Sequence, residues 1–285
     1  MLDAKTVDRC KAFVGRTRAI TDSLSPEPAD KLAVLLGRHA GKYLPLCWHW
    51  AYFNAAIPPE NVGHDGHEQL GLFLPDVPLP RRMWAAGEID VISPLRIGTP
   101  ATRVTSIEDV SFKDGKSGIL CFVTLFHEIT QKAGSAQEPS GQHGLVRERQ
   151  TIVYRQPGQP ETALRAQDDP VPDGFQTIPD TTLLAYSALT QNGHRIHWDR
   201  DFCRDVESYP DLVVHGPLLA TLLANHASTE PGPCRFSFRA SAPVFVTSPI
   251  RIDAADQLLD AGKRAINMLR SDGVVAMTAH YQGRE

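Results

Sequence analysis

The chain has 285 residues, of which 42% are hydrophobic and 22% charged, so it is long enough for one large globular domain or two of modest size. A net charge of −4 without any Lys- or Arg-rich run argues against nucleic-acid binding, and no stretch approaches the ~18 consecutive apolar residues of a membrane span. Five scattered cysteines form no C-x-x-C pair and the N-terminus lacks a secretory signal, so we expect a soluble protein with reduced thiols in the cytoplasm.

The first predicted elements are a helix over residues 28–39, where leucines recur near helical spacing, and a strand over residues 150–156. The segment after this strand is rich in Pro, Gly and Asp and has no periodic apolar face. Loops of such length are uncommon inside one compact domain. We therefore predict an N-terminal domain over residues 1–156, a linker over 157–176 and a C-terminal domain over 177–285.

The two halves contain a short internal similarity. The string "SPLRI" at residues 93–97 aligns without a gap on "SPIRI" at residues 248–252. In each half a strand-like stretch follows after almost the same interval, ending near His127 in the first half and near His280 in the second. Both stretches are rich in β-branched and aromatic residues, as antiparallel strands require. The matched spacing favours duplication of one unit.

A dense polar cluster lies at residues 192–199 and contains Asn192, His194, His197 and Asp199. Solvated loops rarely carry two histidines so close together, and core segments rarely carry this much charge. A neutral imidazole can take a proton from water and return it near neutral pH. The cluster is therefore a candidate for acid–base chemistry, with His197 as its first candidate.

The clearest helix of the sequence follows at residues 215–228. Pro217 suits a first helical turn, and leucines cover so much of the circumference that the helix should be buried on several sides. A helix buried in this way is typical of a fold in which a curved antiparallel sheet wraps one central helix.

Residues 186–218 resemble the signature of the MaoC-like (R)-specific hydratases and dehydratases, which have the hot-dog fold. The strings "PLCWHWAYF" at 45–53 and "PLPRRMWAAG" at 78–87 resemble a narrower family, the two-hot-dog hydratases of itaconyl-CoA and mesaconyl-CoA, with mitochondrial-type 3-hydroxyacyl-thioester dehydratases as relatives. The resemblance covers nearly the whole chain. It implies an α+β double hot dog: two fused units, each a curved antiparallel sheet around a central helix, the N-terminal helix being degenerate.

The resemblance also implies an Asp and a His, five residues apart, that handle the water of an enoyl-thioester hydration. His197 occupies the His position, while Asn192 stands at the Asp position and can orient a water but cannot remove its proton. Asp199 is the nearest carboxylate, and in an extended segment it would share a face with His197. The alternative for Asp199 is that it orients the imidazole or caps a turn.

Metal binding is a further interpretation of His194, His197 and Asp199. Three ligands within six residues would demand a very compact site, and no helical H-E-x-x-H pair accompanies them. We therefore predict no metal and no other cofactor.

Gly216 is the second strong position. Backbone N–H groups at the start of a buried helix favour negative charge, and in hot-dog thioester enzymes this feature polarises the thioester carbonyl. His215 and His194 are expected to border the substrate as well. The alternative is that Gly216 with Pro217 merely begins a helix.

The first half generally shapes the acyl pocket in the family that the chain resembles. Trp84 is a candidate for the pocket wall. Arg81 and Arg82 are candidates for holding a substrate carboxylate, because a buried carboxylate is very costly without a partner and Arg can bind it bidentately. The alternative is that both arginines are surface charges or contacts to CoA phosphates.

Together these features predict a hydro-lyase that adds water to the α,β double bond of a short enoyl-CoA, foremost itaconyl-CoA or mesaconyl-CoA, giving citramalyl-CoA. The rivals are a 3-hydroxyacyl-thioester dehydratase of fatty acid synthesis, an acyl-CoA thioesterase and a non-catalytic acyl-CoA binder. The expected partner is the acyl-CoA substrate, with neither nucleic acid nor membrane, and the expected assembly is a homodimer.

Overall fold

The computed structural model describes residues 2–115, 118–131, 144–158, 170–259 and 263–284. Its α-helices are α1 Ala4–Lys11, α2 Pro26–Leu36, α3 Asp180–Thr190 and α4 Gly216–Ala227. Its strands are β1 Thr17–Asp22, β2 Arg81–Ser93, β3 Ala101–Gly115, β4 Gly118–Gln131, β5 Leu145–Arg155, β6 Cys234–Ala240, β7 Ile250–Leu259, β8 Lys263–Arg270 and β9 Val275–Gly283. Short 3₁₀ turns lie at Trp48–Ala51, Pro59–Asn61 and Arg195–His197, and a π-helical turn at Phe202–Val206. None of the helices within these ranges has the length and apolarity needed to cross a membrane.

The strands form one antiparallel sheet in the order β1-β3-β4-β5-β2-β6-β9-β8-β7. The strand order is equivalent when read from either end of the sheet. At one end β1 pairs with β3, and at the other end a bridge between Gln176 and Ile250 lies beside β7 in the corresponding position. Strands β2 and β6 pair in the middle and join the two copies. The same connectivity occurring twice is what a duplicated unit predicts.

The strand order also shows which part of the internal similarity was aligned correctly. Ser93 ends β2 with Pro94 directly after it, and Ser248-Pro249 precedes β7, so both pairs mark the connection from the first to the second long strand of their unit. His127, however, lies in β4, whereas His280 lies in β9, which corresponds to β5 and not to β4. That part of the alignment was wrong, because strands of equal alternation look alike in sequence wherever they stand in a sheet.

Helix α4 lies inside the second unit and packs on β8 and β9, as the leucine pattern predicted. Seven of its residues are buried, and Leu223 and Ala220 have no exposed surface. Pro217 stands in the first turn, where a missing N–H leaves no helical hydrogen bond unmade. The predicted helix over 28–39 is α2, which ends three residues earlier at a left-handed Gly37 with φ 63°.

The first unit has no α-helix at the place of α4. Directly before β2, where α4 would correspond, the described chain contains only the 3₁₀ turn Pro59–Asn61 and an irregular segment over 62–80. Three glycines and three prolines lie in that segment, and both residue types disfavour helix interiors. The expected degenerate N-terminal helix is thus confirmed.

Helices α1 and α3 were not predicted, and α3 matters for the site because it leads directly into the polar cluster. It ends at Gln191, whose left-handed φ of 47° turns the chain sharply before Asn192. The predicted linker over 157–176 falls largely on residues 159–169, which lie outside the described ranges.

Candidate active site

The catalytic candidates stand on a tight turn between α3 and α4. The side-chain oxygen of Asn192 accepts the backbone N–H of His194 at 3.1 Å, which closes the turn. The following 3₁₀ turn, Arg195–His197, directs His197 into the interior, where only 6% of its surface is exposed. Asn192 therefore holds the backbone that presents both histidines.

His197 is a neutral imidazole with a defined tautomer. Its Nδ1 lies 2.7 Å from the carbonyl oxygen of Val213, and because a carbonyl can only accept, Nδ1 carries the hydrogen. The other nitrogen, Nε2, is left with a lone pair. Burial lowers the pKa of His197 to about 3, so the ring stays uncharged at neutral pH. The lone pair on Nε2 is what a proton acceptor requires.

His215 stacks on His197 and connects it to α4. The two ring centroids are 3.6 Å apart with the planes inclined by 21°. Nε2 of His215 lies 2.8 Å from the hydroxyl of Ser187 on α3, and the residue is completely buried. Burial, assisted by the neighbouring His197, lowers the pKa of His215 well below its ordinary value. The surroundings therefore favour two uncharged rings and disfavour a charge on both at the same time.

Gly216 places the start of α4 against Trp84 from the first half. A side chain at this position would have its Cβ 3.3 Å from Cε3 of Trp84, so glycine allows the close approach. The first N–H groups of a helix have no partner inside it. Trp84 in turn meets Trp50 edge-on at 4.8 Å and Phe238 at 4.6 Å, so the N–H groups of the helix border an aromatic wall.

Asp199 does not share a face with His197, because residues 195–197 form a 3₁₀ turn and not an extended segment. Its carboxylate accepts hydrogen bonds from the Arg195 guanidinium at 2.7 Å and from the backbone N–H of Phe202 at 3.0 Å. These bonds, the one from Phe202 first, hold the pKa of Asp199 below its ordinary value. The contacts favour the capping alternative that the sequence left open.

A turn of the first half, residues 62–68, lies directly on the turn that carries the histidines. Gly66 and Gly193 touch through their backbones: a Cβ on Gly66 would lie 2.0 Å from the carbonyl oxygen of Gly193. The carbonyl oxygen of Asp65 accepts the N–H of Arg195 at 2.9 Å. Only glycine permits this approach on both sides, so the two glycines join the halves at the candidate site.

This contact brings Asp65 and His67 to His194, which the sequence analysis did not anticipate. One oxygen of Asp65, one ring nitrogen of His67 and one of His194 all lie within 4.8 Å of one another. The His67 and His194 ring centroids are 4.5 Å apart, and those of His194 and His197 are 5.4 Å apart. The string "GHDGHE" at residues 63–68, dense in ionisable groups between glycines, was the signal that could have indicated it.

Asp65, His67 and His194 differ in their charge at neutral pH. Burial and the neighbouring Arg82 lower the pKa of His67 to about 4. Burial, with His67 nearby, lowers the pKa of His194 well below its ordinary value. Against the effect of burial, the His67 hydrogen bond and Arg82 keep the pKa of Asp65 well below its usual range. At neutral pH the group thus contains neutral histidines beside one ion pair.

Arg81 and Arg82 have different partners in the structure. Arg82 donates to Asp65 at 2.9 Å, and its buried Nε has no hydrogen-bond partner among the described residues. Arg81 instead pairs with the buried Glu207, to which its Nε donates at 2.9 Å, and its guanidinium lies over the ring of Tyr209. Its buried Nη2 also has no hydrogen-bond partner among the described residues, so the ion-pair partner is what distinguishes the two arginines. Arg82 is therefore the arginine of the candidate site.

The structure divides the suggested metal ligands. His194 joins Asp65 and His67, whereas Asp199 is bound to Arg195. Asp65, His67 and His194 are close enough for a metal ion, but the guanidinium of Arg82 already neutralises the one carboxylate. The donor set therefore gives no positive indication of a metal centre.

Comparison with known proteins places these features in a family context. Residues 47–246 match the family model described as hydroxyacyl-thioester dehydratase type 2. A mesaconyl-C(4)-CoA hydratase of Chloroflexus aurantiacus is 41% identical, covering 85% of this chain and 87% of that protein. A mitochondrial hydroxyacyl-thioester dehydratase type 2 of Schizosaccharomyces pombe is 30% identical, covering 82% of this chain and 88% of that protein.

Solved structures agree on the fold. HtdX of Mycobacterium tuberculosis superposes with a TM-score of 0.65 at 16% identity, covering 94% of this chain and all of that one. A second protein of the same organism, whose structure is described as a double hot dog, has a TM-score of 0.50 at 12% identity and covers 94% of this chain and 95% of its own. At such identities the likeness concerns the fold alone.

Proposed function

The chain belongs to the hydroxyacyl-thioester dehydratase type 2 family, and on that premise we propose that it adds water reversibly to the α,β double bond of a short enoyl-CoA, foremost mesaconyl-CoA or itaconyl-CoA, to give citramalyl-CoA. The predicted family resemblance, the double hot-dog fold and the hydro-lyase class are confirmed. The named acyl group is the finer part of the proposal, and the 41% identical mesaconyl-C(4)-CoA hydratase supports it.

The observation that carries the proposal is the buried His197, whose Nε2 is left free by the bond from Nδ1 to Val213. In the proposed step the water oxygen bonds to the β carbon while its proton passes to Nε2. The same imidazolium then returns a proton to the α carbon. General acid–base catalysis of this kind contributes about 10²–10⁴-fold to a rate.

The negative charge that develops on the thioester oxygen is stabilised at the start of α4. The N–H groups of Gly216 and Leu218 are the donors available there, because Pro217 between them has none. The helix dipole adds to their effect. The aromatic wall around Trp84 excludes water from this point and so strengthens the interaction.

A dicarboxylic acyl group requires a cation near the reacting carbons, and Arg82 fits that requirement. It lies next to His67 and His194 through its bond to Asp65, and its buried Nε has no hydrogen-bond partner among the described residues. We therefore assign Arg82, and not Arg81, to the free carboxylate of the substrate. Arg82→Ala should reduce turnover of mesaconyl-CoA more steeply than turnover of crotonyl-CoA, and equal losses would contradict the assignment.

The second candidate is a 3-hydroxyacyl-thioester dehydratase acting on longer fatty acyl chains, which would use the same histidine and the same helix. The relationship to the mitochondrial dehydratase of Schizosaccharomyces pombe favours it. The thioesterase and the non-catalytic binder stay rivals that product analysis separates. Free CoA would indicate a thioesterase, and no product a binder.

We further propose that the enzyme works in the cytoplasm, as a homodimer, without metal or redox cofactor. Hydration neither oxidises nor reduces the substrate, so the chemistry requires no electron carrier. All five cysteines are free and buried, which is consistent with a reducing compartment.

The decisive experiment is a panel of mesaconyl-, itaconyl- and crotonyl-CoA with a long-chain enoyl-CoA, monitored by mass spectrometry for gain of water. His197→Ala is the matched inactive variant and should lower the rate by about 10²–10⁴-fold with the fold intact by circular dichroism. Preference for the long chain would move the dehydratase to first place. Activity of His197→Ala within a factor of a few of the parent would remove His197 from the mechanism.

A further inference from the structure

The attacking water needs two hydrogen-bond acceptors, one for each of its hydrogens, if its lone pair is to face the β carbon. Nε2 of His197 is the first acceptor. The side-chain oxygen of Asn192 accepts the N–H of His194, so one of its two lone pairs is already used inside the turn. The first half supplies a further acceptor beside this cluster, the ring of His67, whose centroid lies 4.5 Å from that of His194.

We propose that His67, oriented by Asp65, is this second acceptor, so that the first half of the chain supplies part of the catalytic machinery. The inference rests on the proposed hydration and names a further residue of the same site.

The tautomer of His67 suits the role. Its Nδ1 lies 3.4 Å from Oδ2 of Asp65, and an ionised carboxylate can only accept, so Nδ1 carries the hydrogen and Nε2 has the lone pair. The backbone N–H of His67 also donates to the other carboxylate oxygen at 3.0 Å. Asp65 thus fixes both the ring and the backbone of the residue that it orients.

The position of His67 is imposed by backbone contacts and does not depend on a flexible side chain. Its turn is closed by the bond from the N–H of Gly63 to the carbonyl oxygen of His67 at 2.7 Å. The contact of Gly66 with Gly193 then sets the turn against the histidine cluster. Through His194, the ring of His67 continues the row of rings that ends at His197 and His215.

Electrostatics favour a water-binding role over a proton-carrying one. The guanidinium of Arg82 balances the charge of Asp65, so the neutral ring of His67 remains an acceptor. Its side chain is 29% exposed, compared with 5% for His49, a histidine paired with a carboxylate in the interior of the first half. His67 can therefore reach a solvent molecule as a purely structural histidine would not.

The chemical step balances without any co-reactant. As the water oxygen bonds to the β carbon, one water proton passes to Nε2 of His197 and the electron pair of the double bond moves towards the thioester oxygen. His67 keeps its hydrogen bond to the remaining O–H group and exchanges no proton. Return of the proton from His197 to the α carbon completes the addition.

The test uses three single variants of the full-length enzyme on whichever enoyl-CoA the parent hydrates. His67→Ala should lower kcat by about 10²-fold with KM changed only a few-fold, because a misplaced water slows the chemical step and not binding. Asp65→Asn should lower kcat by less. The control is His64→Ala, which removes an exposed histidine of the same turn and should leave kcat unchanged.

A double variant separates catalysis from structure. If Asp65 acts through His67, Asp65→Asn combined with His67→Ala should be no slower than His67→Ala alone, whereas independent structural roles would give multiplied losses. Multiplied losses, or a kcat of His67→Ala within threefold of the parent, would overturn the inference.

A second measurement needs no turnover. In ¹⁵N spectra of histidine-labelled protein, His67 should be protonated at Nδ1, and Asp65→Asn should perturb that signal. Protonation of His67 at Nε2 would overturn the inference even in an active hydratase. If the parent enzyme hydrates no enoyl-CoA but His67 is protonated at Nδ1, the proposed function is overturned. The geometry of Asp65 and His67 is confirmed in that case.

Discussion

Acidification from pH 7 to pH 5 should destabilise the protein through its buried neutral histidines. The unfolded imidazole takes up a proton near pH 6.5, whereas that of His197 in the folded protein stays neutral down to about pH 3. The unfolded state therefore binds more protons between these values, and acid favours it. The stability that His197 contributes by staying neutral is complete above pH 6.5 and declines as the pH falls below it.

The size of this loss of stability follows from the difference between the solution pH and the pKa of the imidazole in the unfolded state. At pH 5 the difference is about 1.5 units, which corresponds to about 2 kcal/mol for His197 alone. His194 and His215 have pKa values lowered in the same direction and steepen the loss. Their effects should not simply add, because the three rings neighbour one another.

Urea unfolding at pH 7 and pH 5 measures the effect. The difference in the free energy of unfolding between the two pH values should be smaller by about 2 kcal/mol in His197→Gln than in the parent, whatever the stability of the variant at pH 7. His39→Gln, which changes an exposed histidine, is the control and should keep the difference of the parent. An unchanged difference in His197→Gln would refute the account of His197 as a buried neutral base.

Three further predictions concern the turns that build the site. Gly66→Ala should destabilise the protein by about 2–4 kcal/mol in urea unfolding, since it adds a clash to an unfavourable φ of 89°. Gly71→Ala, at φ 92°, has room for a side chain and should cost about 1 kcal/mol; similar losses in the two variants would argue against a close contact between Gly66 and Gly193. Asn192→Asp should retain kcat because a carboxylate can also accept the N–H of the turn, and Asn192→Ala should lower stability by about 1 kcal/mol. Asp199→Asn should keep kcat within a few-fold of the parent, because the bond to Phe202 survives; a loss of about 10²-fold or more would make Asp199 the base.

Sequence reasoning predicted proximity correctly where the residues are neighbours along the chain. His197, His215 and Gly216 lie within twenty residues of one another, and the helix that begins at Gly216 has an apolar pattern too extensive for a surface helix. The proximity of these residues in space was therefore a short step from their proximity in sequence. Their roles in catalysis stay predictions until the variants are measured.

Sequence reasoning failed where local geometry departs from regular structure. Asp199 was expected to face the same way as His197 because alternate residues of an extended chain do so, but the 3₁₀ turn over 195–197 rotates it towards Arg195. Helix α3 was missed because its strongly polar first turn follows a segment rich in Pro and Asp. Neither the 3₁₀ turn nor the polar start of α3 produces a periodic pattern of apolar residues in the sequence.

The entry of Asp65 and His67 into the site could not be read from periodicity at all, because it depends on a contact between two glycine backbones far apart in sequence. It has a structural cause in the duplication. In the second unit the segment before the central strand folds as α4 and fills the core of its own unit. The corresponding segment of the first unit contains glycines and prolines in place of a helix-forming run, so it forms no α-helix among the described residues. This segment contacts the turn that carries the histidines of the other unit and places the carboxylate of Asp65 beside them. A site built from both copies would allow the second copy to function with Asn192 where its family resemblance implies an acid, and the Asp65 and His67 variants test this.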